Sequence, residues 1–237
     1  MSIADSISRF ADYYRRHGFV ATIGRGGLAF KRILFSGRMV VFYCDLSVLV
    51  ELPVNISNPR TVERITSYRE LSEPDLRDMT SFWNPKLAHR NIRERFAKGA
   101  SLWLIRSEGK LAGYGWTLQG ETIEPYFFPL APDDVHLFDF HVFPQYRGRE
   151  MNPMLVTYIL HDMALNRRGR AFIEAGEWNQ AQLASLRKTP FRYLGPAWSF
   201  SLFGRTFVSW VEAQSGGAAQ KGPEQNARAL TAVKPPH

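Results

Sequence analysis

The residues with the clearest potential for chemistry lie in the segment 135–152. A predicted buried strand over residues 135–143 is followed by a turn that contains Arg147, Gly148 and Arg149, and then by a predicted helix. The first N–H groups of a helix lack partners and carry positive potential, so this junction is suited to an anion. Gly148 would let the backbone approach a phosphate, and the arginines would add charge-assisted hydrogen bonds. The alternative, a solvated basic turn, stays open on these residues alone.

Side chains that could exchange a proton lie close to this turn. The candidates for a general base are His136, Asp139, His141 and Glu177. A histidine is attractive because its pKa lies near neutrality. Simple alternation along the strand predicts that His136 faces one side of the sheet and that Asp139 and His141 face the other, so at most one set borders a cleft. For each side chain the alternative is a polar residue satisfied within the sheet.

The elements that must position these residues follow from periodicity and turn signals. A strand over residues 62–71, a helix that begins at Ser72 and is interrupted at Asn84-Pro85, and a hairpin around Glu108-Gly109 precede the segment. A strand, helix and strand over residues 135–177 form a parallel crossover. A helix over residues 180–188 and a final hairpin close the chain, which predicts a mixed α/β fold.

Three regions differ in composition. We predict an N-terminal α+β extension over residues 1–60, with a helix and two strands, the second at 39–46. Its eight basic and four acidic residues hold about half of the net charge. Residues 61–213 form the main domain. Residues 214–237 lack aromatic residues and are rich in Ala, Gly, Gln and Pro, which predicts a disordered tail.

Composition narrows the class of protein. The 237 residues are 45% hydrophobic and 22% charged, as in globular proteins. One cysteine, Cys44, excludes an intramolecular disulfide and a cysteine-rich zinc site, and the histidines lack ligand spacing, so we expect no metal. No apolar run is long enough to cross a membrane, and the N-terminus lacks the apolar core of a signal peptide, so we expect a cytoplasmic protein.

Two motifs carry a resemblance to a known family. Val142, Pro144, Gln145, Arg147 and Gly148 match a loop that reads Gln/Arg-x-x-Gly-x-Gly/Ala after a strand ending in Val-x-Pro. This loop resembles the acetyl-CoA loop of the GNAT N-acetyltransferase superfamily. Downstream, a strand that ends in Glu-Trp-Asn at residues 177–179 and the helix after it resemble a second motif of that family.

The resemblance implies a GNAT fold, with a mixed central sheet flanked by helices, and direct transfer of acetyl from acetyl-CoA to an amine. A general base would take the amine proton, while backbone amides at the strand end would polarise the thioester. The residues implied in acetyl-CoA binding are Val142, Phe143, Gln145, Arg147, Gly148, Arg149, Glu150 and Asn179. Asn179 has a second interpretation as the cap of the following helix.

Three residues depart from the family pattern. Glu150 stands where the loop has Gly or Ala, and a carboxylate beside a pyrophosphate is unfavourable. Leu186 replaces a tyrosine that protonates the leaving thiolate in many members, and Pro190 replaces a Gly. These departures motivate two alternatives: a GNAT-fold binding or scaffold protein without activity, and an acyltransferase with a longer acyl-CoA or acyl-carrier donor.

The acceptor and other partners are less defined. We expect a small-molecule or sugar amine, with an amino sugar or polysaccharide precursor as one candidate. Aromatic residues at 126–128 could line its pocket or cover the core. The N-terminal region could form a homodimer interface or contact a membrane surface. Nucleic acid is not expected, because the basic residues are dispersed and no binding motif accompanies the net charge of +8.

Overall fold

The computed structural model describes residues 37–49, 59–81, 85–123, 126–166, 169–202, 205–211 and 231–233. Over these residues, nine strands form a single mixed sheet in the order β2-β3-β4-β5-β6-β1-β7-β8-β9. The strands are β1 (Arg38–Asp45), β2 (Arg60–Ile65), β3 (Ser101–Ser107), β4 (Lys110–Gln119), β5 (Val135–Val142), β6 (Arg170–Gly176), β7 (Arg192–Leu202), β8 (Arg205–Trp210) and β9 (Thr231–Val233). β5 and β6 pair in parallel, and the other pairs are antiparallel. The predicted α/β fold with a parallel crossover is confirmed.

Helices cover both faces of the sheet. In the described residues these are α1 (Glu73–Thr80), α2 (Pro85–Ala97), α3 (Met151–Asn166) and α4 (Gln180–Leu186). One core cluster joins α1 and α2 to one face of β3 and β4, which we call the front face. A second cluster joins α3 and α4 to the opposite, back face. No described helix is long and apolar enough to span a bilayer.

Local sequence signals explain several boundaries. Ser72 caps α1 because its side chain accepts a hydrogen bond from the Asp75 amide. α2 begins at Pro85, the residue predicted to interrupt the helical run. β2 ends at Ile65, short of the predicted residue 71, and turns fill the interval before α1.

β1 lies inside the sheet, between β6 and β7. Val41 is fully buried, and Phe42 and Cys44 join the back-face core. The predicted strand at 39–46 is therefore confirmed, and its side chains belong to the same core as the crossover. The predicted helix and first strand of the N-terminal region lie outside the described residues.

The tail prediction is corrected at one point. Residues 231–233 form β9, which pairs antiparallel with β8, where we had expected disorder. Thr231 and Val233 are β-branched, and such residues favour strands. The rest of the tail lies outside the described residues, and the domain boundaries at 60 and 214 stay predictions.

Candidate functional site

The site begins where two parallel strands part. β5 pairs with β6 only from Val135 to Leu137, and beyond this point the two strands diverge. A cavity of about 490 Å³ lies at this opening, a size typical of small-molecule pockets. Its lining residues come from the end of β5, the turn after it, the start of α3, and α4: Phe140, His141, Val142, Tyr146, Arg147, Gly148, Glu150, Met151, Asn152, Pro153, Asn179, Ala181, Gln182, Ala184, Ser185 and Lys188. We call this cavity the cleft.

A bulge in β5 changes the face of the sheet on which the side chains beyond it lie. Asp139 has a φ of 51°, and the β4–β5 register shifts between Tyr114 and Trp116. The extra residue reverses the alternation beyond it. His136 and His141 therefore lie on the same, front face, where His141 stacks on Tyr114. The predicted alternation, which separated the two histidines, was wrong because it assumed a regular strand.

The backbone at the end of β5 presents polar groups to the cleft. The Phe143 amide donates to the Ala112 carbonyl of β4 at 3.0 Å. Because successive backbone groups point to opposite edges of a strand, Val142 directs its N–H and C=O to the side where β6 has departed. Arg147 Nε donates to the Val142 carbonyl at 3.2 Å. This edge can therefore pair with an extended amide-containing chain.

The turn after β5 holds its cations beside the helix start. Residues Pro144–Tyr146 form a 3-10 turn, and Gly148 follows with a φ of 76°. This left-handed conformation favours glycine. Arg147 and Gly148 line the cleft, next to the first turn of α3. The combination suits an anionic group, as predicted from the sequence.

Glu150 also has a left-handed backbone, with a φ of 59°. Its carboxylate accepts a hydrogen bond of 2.6 Å from Lys188 Nζ across the mouth of the cleft. This contact, with the positive charge of Lys188, lowers the pKa of Glu150. Both side chains are largely exposed. The carboxylate is therefore bound to a lysine at the rim, where a phosphate would compete for that lysine.

One face of α4 forms the opposite wall of the cleft. Asn179 caps α4 by accepting from the Gln182 amide at 3.2 Å, so both proposed roles fit its position. The Asn152 side-chain amide donates to Ser185 Oγ at 2.8 Å, which connects α3 with α4. Leu186 is fully buried in the core and offers the cleft no proton.

Of the predicted bases, His141 is the one that borders the cleft. Burial, followed by the positive charge of Arg147, lowers the pKa of His141, whereas Asp139 raises it by a smaller amount. Since the net shift is downward from the ordinary value of 6.5, the imidazole is neutral at pH 7 and can accept a proton.

The other candidate bases are placed differently. His136 is buried and stacks on Phe138, and its Nε2 lies 2.9 Å from Glu174 Oε2. Asp139 forms an ion pair with Arg95 on the front face. Glu177 is exposed, 3.9 Å from Arg38. None of these three lines the cleft.

The residues predicted to bind acetyl-CoA also divide into those that line the cleft and those that do not. Five line the cleft: Val142, Arg147, Gly148, Glu150 and Asn179. Phe143 is buried behind it, whereas Gln145 is exposed outside it. Arg149 is also exposed outside it and lies over the Tyr146 ring.

Several lining residues were missed from the sequence. Gln182, Ser185 and Lys188 recur every three residues, a spacing that places side chains on one helix face. Since Asn179 begins this series, helical periodicity could have identified the wall. Tyr146 and Ser185 are the lining residues that carry a hydroxyl. Among the described residues, no three His, Cys, Asp or Glu side chains are grouped as a metal site requires.

A family model matches a part of the chain that includes every residue lining the cleft. A model of the acetyltransferase (GNAT) family matches residues 65–188, more than half of the chain. The match runs from the end of β2 to the residue that binds Glu150. It includes the parting strands, the turn and α4. A search of curated proteins finds no significant match.

The solved structures to which this chain is similar include three GNAT proteins. A GNAT-family acetyltransferase from Colwellia psychrerythraea is 11% identical, with a TM-score of 0.48, over 66% of this chain and 53% of that one. A tandem GNAT protein of the clavulanic acid biosynthesis pathway is 15% identical, with a TM-score of 0.47, over 66% and 50%. An N-acetyltransferase from Kribbella flavida is 12% identical, with a TM-score of 0.42, over 70% and 60%. The chain thus spans between half and three fifths of the length of these structures.

Proposed function

Because this chain belongs to the GNAT acetyltransferase family, we propose that it transfers an acetyl group from acetyl-CoA to a primary amine. The observation that carries the proposal is the cleft between the diverging ends of β5 and β6. It combines an exposed strand edge at Val142 with a cationic turn at a helix start. An amide-containing arm that ends in a pyrophosphate fits these two features together.

The charges at the cleft mouth fit such a donor. Arg147 and Lys188 line it, and Glu150 offsets one of these two cations through its contact with Lys188. When a phosphate binds Lys188, the exposed Glu150 side chain can turn to solvent. The carboxylate would therefore weaken binding without blocking the site.

His141 is the proposed general base. The amine nitrogen attacks the thioester carbon, the C–N bond forms, and the C–S bond breaks with its electron pair on sulfur. His141 takes the amine proton and later releases it to solvent. The Val142 N–H is the proposed donor to the carbonyl oxygen as negative charge develops there.

The leaving thiolate requires little help. A thiol such as cysteine has a pKa of about 8.5, so its thiolate is a moderately stable anion near neutral pH. Tyr146 and Ser185 are the lining hydroxyls that could return a proton. The buried Leu186 therefore does not preclude activity, although the absence of a dedicated general acid lowers the rate of transfer.

Calorimetric titration of acetyl-CoA tests the cofactor site, with two arginine variants as a matched pair. Arg147→Ala removes a cation that lines the cleft, whereas Arg149→Ala removes an exposed cation two residues away. We expect Arg147→Ala to weaken binding about tenfold, as for loss of a charge-assisted hydrogen bond, and Arg149→Ala to change it little.

Thiol release with a panel of amines then tests transfer. Release of CoA that depends on both acetyl-CoA and an amine supports the proposal. If folded wild-type protein does not bind acetyl-CoA, the cofactor assignment is wrong. If it binds acetyl-CoA but transfers to no amine, the alternative of a non-catalytic binding protein gains, and longer acyl donors would be tested next.

A further inference from the structure

A second cavity lies on the front face, across the β5 bulge from the cleft. Its volume is about 290 Å³. It lies between α1, α2 and the strands β4 and β5, and its lining residues are Met79, Leu87, Ala88, Asn91, Ile92, Arg95, Tyr114, Trp116 and Asp139. No role in the proposed donor binding accounts for it.

One pair of rings connects the two cavities. His141 lines the cleft, Tyr114 lines the second cavity, and their ring centroids are 5.6 Å apart in a stacked arrangement. Asp139 lines the second cavity, and the next residue, Phe140, lines the cleft. A molecule held in the second cavity would therefore lie beside the proposed base.

The walls of this cavity are mostly apolar. Met79, Ile92 and Trp116 are buried, and Leu87 and Ala88 add aliphatic surface. The lining therefore suits an apolar ligand body.

The charged groups favour a cationic ligand over an anionic one. Arg95 already pairs with Asp139, and its guanidinium lies 5.2 Å from the Trp116 ring centroid and 5.4 Å from that of Phe138. The Arg95 side chain is 19% exposed, whereas that of Asp139 is 38% exposed. The carboxylate is therefore the more accessible charge of this pair.

We propose that this second cavity is the acceptor pocket and that it takes a small primary amine with an aliphatic or aromatic body. The assignment rests on the proposed acetyl transfer. The ammonium group would bind at Asp139 beside His141, and the apolar body would lie between α1, α2 and the rings of β4. An amino sugar fits less well, because the polar lining groups are few, and the volume is at the low end for ligand pockets.

Calorimetry with 2-phenylethylamine, without acetyl-CoA, tests the pocket directly, with 2-phenylethanol and glucosamine as comparison ligands. Asp139→Asn keeps the side-chain shape, and asparagine tolerates the left-handed backbone. We expect it to weaken amine binding about tenfold while leaving 2-phenylethanol binding unchanged. Ala88→Phe fills the cavity and should abolish binding of both ligands.

The possible outcomes distinguish a failure of the pocket assignment from a failure of the proposed acetyl transfer. Amine binding that both variants weaken, without any thiol release, would support the pocket and contradict the transferase. Transfer to 2-phenylethylamine at an unchanged rate in Ala88→Phe would overturn the pocket and leave the transferase standing. The pocket assignment would also be overturned if the wild type bound no apolar amine at millimolar concentration, or if glucosamine bound more tightly.

Discussion

At the scale of single residues, the site depends on side chains in unusual backbone conformations. Glu150 and Asp139 both have positive φ, a region that residues other than glycine rarely adopt. One places a carboxylate at the mouth of the cleft, and the other creates the bulge that brings His141 to the front face. Each is a departure from a regular pattern at a position where chemistry is proposed.

Replacement of Glu150 by Gly should both stabilise the protein and strengthen donor binding. Glycine adopts the left-handed conformation without steric cost, although its greater freedom in the unfolded chain offsets part of the gain. We expect thermal unfolding to shift upward by about 2 °C and acetyl-CoA to bind several-fold more tightly, because Lys188 is freed.

Glu108→Gly is the matched control for this change. Glu108 has a φ of 54° in the β3–β4 turn, away from the cleft. It should reproduce the thermal shift and leave acetyl-CoA affinity unchanged. Equal affinity gains in both variants would contradict the role given to the Glu150 carboxylate.

The pH profile of transfer tests His141. Because its pKa is lowered, the neutral base form persists below the pH at which an ordinary histidine is half protonated. We expect kcat/KM to fall on the acid side with an apparent pKa below 6.5, and His141→Gln to lose activity together with this dependence.

His161 provides the control for this profile, because burial lowers its pKa as well and it lies on α3 outside the cleft. His161→Gln should retain both the wild-type kcat/KM and its fall at acid pH. An unchanged acid limb in His141→Gln would show that another group is the base.

At the scale of elements, the cleft depends on how α3 and α4 are held together. The hydrogen bond from the Asn152 side-chain amide to Ser185 Oγ joins the two helices at the cleft wall. Asn152 is half-buried, so loss of its partner leaves a polar group poorly satisfied.

A double-mutant cycle with Asn152→Ala and Ser185→Ala measures this contact. Each single variant should lower the free energy of unfolding by about 1 kcal/mol, and the two together should cost less than the sum. A coupling energy of about 0.5 kcal/mol or more is expected for residues in contact. Strict additivity in denaturant unfolding would show that the bond contributes nothing.

At the scale of the whole molecule, β1 is a strand of the central sheet although it lies outside the residues that the family model matches. The family model begins at residue 65, whereas β1 ends at Asp45 and lies between β6 and β7. Its removal would expose the edges of both strands and take Val41 and Phe42 out of the core. We therefore expect residues 61–213 alone to aggregate or to unfold without cooperativity.

A pair of valine variants in the full chain tests the same point without truncation. Val41→Asp buries a charge at a fully buried position and should cost about 3 kcal/mol or more. Val48→Asp, at a position that is 64% exposed, should change stability by less than about 0.5 kcal/mol. A well-folded 61–213 fragment and a stable Val41→Asp variant would together show that β1 is dispensable.

The sequence by itself determined the order of the elements from β1 to β8, the strand–turn–helix at 135–152, the family and six of the cleft residues. These depend on local signals: periodicity, a proline at 85, a cap at Ser72 and a motif of contiguous residues. Such signals act over a few residues, so they can be read along the chain.

Tertiary structure decided the rest. The bulge at Asp139 is a local conformation stabilised by strand pairing, and it alone placed His136 and His141 on one face. Contacts between distant residues, such as Glu150 with Lys188 and Arg95 with Asp139, set the charge of both cavities. The local sequence around each of these residues is compatible with several contact partners, and only the packing of the whole chain selects among those partners.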